Sequence, residues 1–313
     1  MLTLPSHVAV TEVCPRDGLQ SFPRAVDTDT KVKIVNRLSA VGFPTIEVTG
    51  FAHPRAIPNH ADAEAVFARI DRAPGTIYRG LVPNARGAER AAAAHVDEML
   101  GLIICSGSYL KRNQNMTIEK AFDEAVMAFK IAEKNNCRFV MALGMSFWCP
   151  YEGSIPEENV LDLIKRFRQA GIRRFYLAGS VGMEDPRHVN RLFARAYDTI
   201  SDIDLGFHVH NMSAMGPANI LAALDAGATS IEGAICGIGG GIAMPAKLGS
   251  VGNYPTEDLV TMLELMGVST GLNPHEVVQA SKDISAMLEI EPRSHTANGI
   301  TREQLRRAPH TAD

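Results

Sequence analysis

The chain has 313 residues, of which 46% are hydrophobic and 21% are charged, a composition that predicts one large α/β domain with a full core. Its formal net charge of −4, without any Lys/Arg run, disfavours nucleic acid and anionic membranes as partners and favours a small-molecule substrate. The five cysteines are scattered, which argues against a disulfide framework and a structural zinc site. No run of about 18 apolar residues suggests a membrane span. Because the sequence also shows no signal or transit peptide pattern, we expect a cytoplasmic protein.

Short β-rich runs alternate with helical periodicity along most of the chain. We predict strands at 8–13, 45–49, 76–82, 96–105, 138–143, 173–178, 203–209 and 229–235. Helices are predicted at 29–41, 61–70, 86–94, 117–134, 156–170, 186–200 and 215–226, followed by two more at 255–266 and 274–288. The pattern is therefore that of eight successive βα units.

Eight βα units of this length are typical of a (β/α)8 TIM barrel, with a doubly wound sheet as the alternative. The barrel is favoured because the polar residues of chemical interest fall in strands or near their carboxyl ends, which converge on one face: Asp17, Glu47, His208, His210 and Asn253. Without an internal linker, we expect 1–313 to be a single catalytic domain. It comprises a barrel over about 8–254, C-terminal helices over about 255–290 that close the barrel's side or form a dimer surface, and a polar, loose tail at 302–313.

A His-x-His pair stands in an apolar run at the end of the seventh predicted strand. Side chains alternate along a strand, so His208 and His210 point the same way and could bind a divalent cation together with a third group. The best candidate for that group is Asp17. From these residues alone, a metal site and an ordinary pair of strand histidines are equally good interpretations.

Residues 12–20 read Glu-Val-Cys-Pro-Arg-Asp-Gly-Leu-Gln, a segment that resembles the opening signature of 3-hydroxy-3-methylglutaryl-CoA lyases. Further blocks are similar to family segments in the same order, at 46–51, 82–84, 111–115, 149–153, 252–253 and 256–260. The resemblance covers most of 8–290. It implies the superfamily of metal-dependent TIM-barrel lyases, which also includes isopropylmalate synthases and related aldolases.

The resemblance also implies a set of site residues. The metal ligands would be Asp17, His208, His210 and Asn253, which usually serve Mg²⁺ or Mn²⁺. Catalytic residues would be Arg16, facing the thioester or enolate oxygen, Glu47 near the metal, and His208 as candidate proton donor; substrate-binding residues would be Gln20, Asn113 and Ser180. The implied reaction cleaves a 3-hydroxyacyl-CoA of the hydroxymethylglutaryl type to acetyl-CoA and a keto acid, in a homodimer.

Three positions depart from the family pattern. Gly241 stands where the family has a reactive cysteine, Gly179-Ser180 replaces an aspartate-threonine pair, and Asn211 replaces an aspartate. Because the first two changes remove groups that move protons, an aldolase or lyase on another hydroxy acid, a Claisen-condensing enzyme and a weakly catalytic metal-binding relative remain alternatives. The glycine-rich loop 237–252 is predicted to be a mobile lid.

Three nearby residues could replace the missing groups. Cys236 is interpreted as a small buried hydrophobe rather than a substitute thiol. Glu184 and Asp185 could bring a carboxylate towards the metal, but a solvated charge pair at the start of the next helix is the preferred interpretation.

Overall fold

Eight parallel strands close into a barrel in the computed structural model, which describes residues 2–240, 252–300 and 302–308. The strands are β1 Ala9–Glu12, β2 Thr45–Gly50, β3 Ile77–Val82, β4 Glu98–Ile104, β5 Arg138–Gly144, β6 Arg174–Gly179, β7 Asp204–Val209 and β8 Ser230–Gly233. The first strand pairs with both β2 and β8, which closes the sheet. The predicted (β/α)8 TIM barrel is confirmed.

Helices follow the strands and cover the outside of the barrel. They are α1 Thr28–Val41, α2 Ala63–Arg69, α3 Ala85–Ala93, α4 Gly107–Gln114, α5 Ile118–Lys134, α6 Glu157–Gln169, α7 Pro186–Thr199, α8 Gly216–Asp225, α9 Thr256–Leu265, α10 Pro274–Leu288, α11 His295–Asn298 and α12 Arg302–Arg307. Three of them were not predicted: α4, whose sequence is mostly polar; α11; and α12, which lies in the tail that was expected to be loose. None of the helices in the described segments is both long and apolar enough to cross a membrane.

Local capping explains where several helices begin. The side chain of Asp27 accepts a hydrogen bond from the Thr30 amide at the start of α1, and Thr117 does the same for Lys120 at the start of α5. Each cap satisfies an amide that has no partner inside the helix. The predicted boundaries of these two helices are therefore within one residue of those observed.

Strand register places charged side chains inside the barrel. Glu47 in β2 pairs with Arg79 in β3, and Arg79 pairs with Glu98 in β4. On the opposite side, His208 in β7 pairs with Glu232 in β8. Because paired residues of neighbouring strands point to the same face of a sheet, these side chains share the barrel interior, where each must find a partner.

Candidate metal centre and active site

A tight turn after β1 presents two charged residues to the mouth of the barrel. Residues Cys14–Gly18 form a short π-helical turn in which the amides of Arg16, Asp17 and Gly18 all donate to the Val13 carbonyl. A Cβ added at Gly18 would lie 2.8 Å from a side-chain carbon of Ile238, so only glycine fits there without a shift. The turn thereby fixes Arg16 and Asp17 over the strand ends.

Asp17, His208 and His210 form a buried cluster whose ligand atoms all lie within 4.8 Å of one another. The Nε2 atoms of the two histidines are 3.0 Å apart, and Oδ2 of Asp17 is 3.4 Å from Nε2 of His210. Neighbouring ligands of an octahedral Mg²⁺ at about 2.1 Å from the ion are about 3 Å apart. The spacing of the cluster therefore fits a small divalent cation.

Hydrogen bonds behind the histidines set their tautomers. Nδ1 of His210 donates to the Ser180 carbonyl at 2.7 Å, and Nδ1 of His208 faces Oε2 of Glu232 at 2.9 Å. A carbonyl and a carboxylate only accept, so the ring proton of each neutral histidine lies on Nδ1. Both Nε2 atoms then present lone pairs to the same point, the arrangement in which outer partners orient metal-ligating histidines.

Asn253 completes the cluster with an oxygen. Its Nδ2 donates to Oδ2 of Asp17 at 2.7 Å and to the Ile238 carbonyl at 2.9 Å, which fixes the orientation of the amide. Its Oδ1 is buried and has no hydrogen-bond partner among the described residues. An orphaned buried oxygen beside a carboxylate and two imidazole lone pairs fits a metal ligand, because a cation would satisfy it.

Close packing by Gly239 supports this arrangement. A Cβ at Gly239 would lie 2.3 Å from Nδ2 of Asn253 and 2.7 Å from Oδ2 of Asp17, and its φ of +114° also disfavours any other residue. The backbone of Gly239 thus packs directly against two of the candidate ligands.

The charged neighbours of Asp17 keep its carboxyl group ionised. Burial would raise the pKa of Asp17, but Arg16 and both histidines outweigh burial and hold that pKa well below its usual range. Nη1 of Arg16 donates to Oδ1 of Asp17 at 2.8 Å, and its Nε donates to Glu47. Asp17 is consequently a carboxylate at neutral pH.

A second ionic group lies beside the ligands. Arg79 is fully buried between Glu98 and Glu232, with shortest nitrogen–oxygen distances of 2.8 and 2.6 Å. Burial would raise the pKa of Glu232, but the hydrogen bond from His208 and the charge of Arg79 lower it below its ordinary value. Glu232 therefore joins the ligand cluster to the barrel's structural charges, a function that its sequence position does not indicate.

The comparisons with known proteins agree with this geometry. A model of the HMGL-like family matches residues 7–284. The chain belongs to the HMGL-like family. It is 33% identical to the mitochondrial hydroxymethylglutaryl-CoA lyase of Macaca fascicularis over 95% of this chain and 90% of the relative, and 35% identical to the human cytoplasmic 3-hydroxy-3-methylglutaryl-CoA lyase over 88% and 74%.

Solved structures give the same result. An HMG-CoA lyase from Acinetobacter baumannii, in complex with coenzyme A and 3-methylmalate, superimposes with a TM-score of 0.88 at 35% identity, covering 96% of this chain and 98% of that one. The HMG-CoA lyase of Pseudomonas aeruginosa has a TM-score of 0.88 at 29% identity over 94% and 97%. HMG-CoA lyases are metal-dependent carbon–carbon lyases that form acetyl-CoA and acetoacetate, and this HMGL-like chain has a triad that could hold their metal.

The predicted site residues fall into two groups. Arg16, Asp17, Glu47, His208, His210 and Asn253 lie in one contiguous network. The remaining three were predicted to bind substrate. Ser180 adjoins the network through its carbonyl, and its hydroxyl accepts a hydrogen bond from the Met145 amide.

Gln20 and Asn113 differ in how exposed their side chains are. Gln20 is half-buried after the first turn, whereas Asn113 is exposed near the end of α4, where its amide donates to the Tyr109 carbonyl. Within the described segments, neither side chain hydrogen-bonds to the network.

Two candidates for the missing groups can be placed. Cys236 is fully buried, its thiol contacts the Ser281 carbonyl of α10, and burial raises its pKa to about 12, so it is a buried thiol as expected. Glu184 differs from the preferred interpretation: it is only 3% exposed, whereas Asp185 caps α7 through the Arg187 and His188 amides. The solvated-pair interpretation is therefore wrong for Glu184. Gly241 and most of the predicted lid, 241–251, lie outside the described residues.

Proposed function

We propose that the chain is a divalent-metal-dependent lyase that cleaves a 3-hydroxyacyl-CoA of the hydroxymethylglutaryl type to acetyl-CoA and a keto acid. The observation that carries the proposal is the cluster of the Asp17 carboxylate with the Nε2 atoms of His208 and His210, next to Asn253, whose Oδ1 is buried and without a partner among the described residues. Because this donor set combines oxygen and imidazole at octahedral spacing, Mg²⁺ or Mn²⁺ is the expected cation. When bound, such an ion supplies Lewis acidity that lowers the pKa of the substrate hydroxyl.

Arg16 is the group proposed to face the thioester. Its Nε and Nη1 are held by Glu47 and Asp17, which leaves Nη2 to donate to the oxygen that gains charge as the enolate forms. Burial and the charge of Glu232 raise the pKa of Glu47 above its ordinary value, although Arg16 opposes the rise. Because its carboxylate accepts the hydrogen bond from Nε of Arg16, Glu47 acts on the reaction by positioning Arg16.

His208 cannot serve as both a ligand and the proton donor. Its Nε2 faces His210 and its Nδ1 proton points at Glu232, so if Nε2 held a cation the remaining ring proton would be directed at Glu232 and not at the enolate. We favour the ligand function, which requires another group to move the proton.

The remaining assignments concern substrate and assembly. We propose that Gln20 and Ser180 contact the acyl group and that Asn113, exposed on α4, contacts the CoA portion. The relative in complex with coenzyme A and 3-methylmalate supports a CoA thioester as substrate. We also propose a homodimer, which light scattering would test.

The deciding experiment is direct. The purified chain, loaded with Mg²⁺ or Mn²⁺ in separate samples, is incubated with hydroxymethylglutaryl-CoA, and acetyl-CoA and acetoacetate are followed by mass spectrometry. We expect both products in equal amounts and no turnover after chelation. A metal-loaded chain that cleaves no 3-hydroxyacyl-CoA contradicts the proposal.

A second candidate is an aldolase or lyase acting on a different hydroxy acid, or the reverse condensation. Gly179 and Gly241, which stand where the resemblance implies an aspartate and a cysteine, favour it. A panel of 3-hydroxy acids with and without CoA discriminates the two, because a CoA-free substrate that is turned over faster would support the second candidate.

A further inference from the structure

The end of β6 contains an acidic group that does not belong to that strand. A Cβ added at Gly179 would lie 2.0 Å from Oε1, 2.5 Å from Cδ and 2.9 Å from Oε2 of Glu184. The carboxylate of Glu184 therefore occupies the space that a side chain at residue 179 would take. Residue 179 is the position at which the family resemblance implies an aspartate that this chain lacks.

The loop that carries Glu184 is firmly held against the metal-binding strand. The Ser213 amide donates to the Gly182 carbonyl at 2.9 Å, and the side chain of Asn219 donates to the Glu184 carbonyl at 3.0 Å. A Cβ at Gly182 would lie 2.6 to 2.8 Å from backbone atoms of 210–212, so the loop packs on the chain immediately after the second histidine. These contacts fix the backbone of the loop, and with it the position from which the Glu184 side chain extends.

The carboxylate of Glu184 is buried, and one of its two oxygens has no hydrogen-bond partner in the described part of the chain. Glu184 is only 3% exposed, and that oxygen is its Oε1. Burial raises the pKa of Glu184 to about 7, although hydrogen bonds from the Glu184 and Met183 amides and, to a smaller extent, the charge of His208 oppose the rise. A buried acid that is costly to ionise, and that lies where a side chain of residue 179 would be, has the properties of a general acid or base.

We propose that the carboxylate of Glu184 performs the proton transfer of the lyase reaction, in place of an acid on β6. The proposal rests on the proposed lyase function. Glu184 takes the proton of the C3 hydroxyl while the C2–C3 bond breaks; the O–H electron pair forms the ketone, and the C–C pair forms the thioester enolate. The same proton then passes from Glu184 to C2, which gives acetyl-CoA and restores the carboxylate without another reactant.

The first test compares neighbouring acids. Glu184→Gln keeps the shape of the side chain but cannot accept the proton, so we expect kcat to fall by about 100-fold or more with KM unchanged. Asp185→Asn is the matched control, since asparagine also caps a helix and Asp185 is outside the site. Mn²⁺ affinity, measured by calorimetry, should be the same in both variants and in the wild type, which also reports an intact site.

The second test moves the acid. Gly179→Asp alone should be as impaired as Glu184→Gln, because its Cβ would displace the Glu184 carboxylate. Combining Gly179→Asp with Glu184→Gly should raise kcat well above that of Glu184→Gly alone. Exchange of acetyl-CoA methyl protons with D₂O, followed by NMR, should show the same order of variants, since it reports proton transfer without C–C cleavage.

The outcomes separate this proposal from the proposed function. An active wild type whose Glu184→Gln variant cleaves and exchanges at the wild-type rate overturns the assignment of Glu184 alone. A double variant no faster than Glu184→Gly also counts against it. If the wild type exchanges acetyl-CoA protons and Glu184→Gln does not, yet the wild type cleaves no 3-hydroxyacyl-CoA, the assignment of Glu184 stands and the proposed substrate is overturned.

Discussion

The barrel contains two buried polar clusters that differ in whether a cationic side chain lies between their acceptors. The closed cluster consists of Arg79, Glu98 and Glu232, in which the cation lies between two carboxylates. The open cluster consists of the candidate ligands Asp17, His208, His210 and Asn253, in which the two histidine Nε2 atoms face each other and Oδ1 of Asn253 has no partner among the described residues. Mutual pairing supports the fold, whereas converging acceptors require a ligand from outside.

The largest expected effect is on the closed cluster. Arg79→Met removes the buried cation that lies between Glu98 and Glu232 and leaves them only Arg174 and His208 as partners, so we expect the free energy of unfolding to fall by about 3–5 kcal/mol. The control is Arg166→Met, because Arg166 pairs with the exposed Glu119 and should contribute less than about 1 kcal/mol. Urea denaturation measures the free energy of unfolding of both variants. Equal losses would show that the buried closed cluster contributes no more to stability than an exposed ion pair.

Removing a ligand should instead affect the cation. Asp17→Ala and His210→Ala are each expected to weaken Mn²⁺ binding by more than about 100-fold, since outer partners alone contribute roughly 10–100-fold. His275→Ala, which changes an exposed histidine on α10, should bind normally. Calorimetry provides the affinities; a His210→Ala variant with wild-type affinity would place the metal elsewhere.

Glu232 belongs to both clusters and can separate their effects. Glu232→Gln and Glu98→Gln each remove one carboxylate from Arg79, but only Glu232 contacts His208. We expect similar losses of stability in the two variants and a roughly 10–100-fold weaker Mn²⁺ affinity only for Glu232→Gln. Equal affinities would mean that Glu232 does not orient His208.

The smallest effect should come from the backbone beside the ligands. Gly239→Ala and Gly271→Ala both place a side chain at positive φ and should each cost at least about 1 kcal/mol of stability. Only at Gly239 would the new Cβ meet Asn253 and Asp17, since nothing lies within 4 Å at Gly271. Comparing the Mn²⁺ affinities of the two variants therefore separates the effect of crowding from that of backbone strain. If Gly271→Ala also bound Mn²⁺ more weakly than the wild type, backbone strain alone would explain the loss of affinity.

The regular parts of the fold could be predicted because they are local. Hydrophobic periodicity and caps such as Asp27 and Thr117 indicate helices within a few residues of sequence. The polar helix α4 has little apolar pattern and was missed. The ligand set was reached through motifs at three separate places, which the closed barrel then brings together.

The connections between ligands and their supports could not be predicted in the same way. Glu232 contacts Arg79 across 153 residues, a contact that depends on barrel closure and register rather than on sequence spacing. For Glu184, an acid before an Asp-Pro helix start is usually solvated, and only the space left by Gly179 makes its burial possible. A glycine at a position where the resemblance implies an acid, followed closely by a new acid, is the sequence signal that would have found it.

The connection between β6 and α7 has a consequence for how this enzyme family can diverge. Within six residues it supplies the Ser180 carbonyl that sets the tautomer of His210, the buried Glu184 carboxylate and the Asp185 cap of the next helix. Because its ends are fixed by a barrel strand and a capped helix, the segment can be inherited or exchanged as one unit. A lineage could therefore relocate its acid by recombination within a single short stretch of gene while the metal ligands elsewhere stay unchanged.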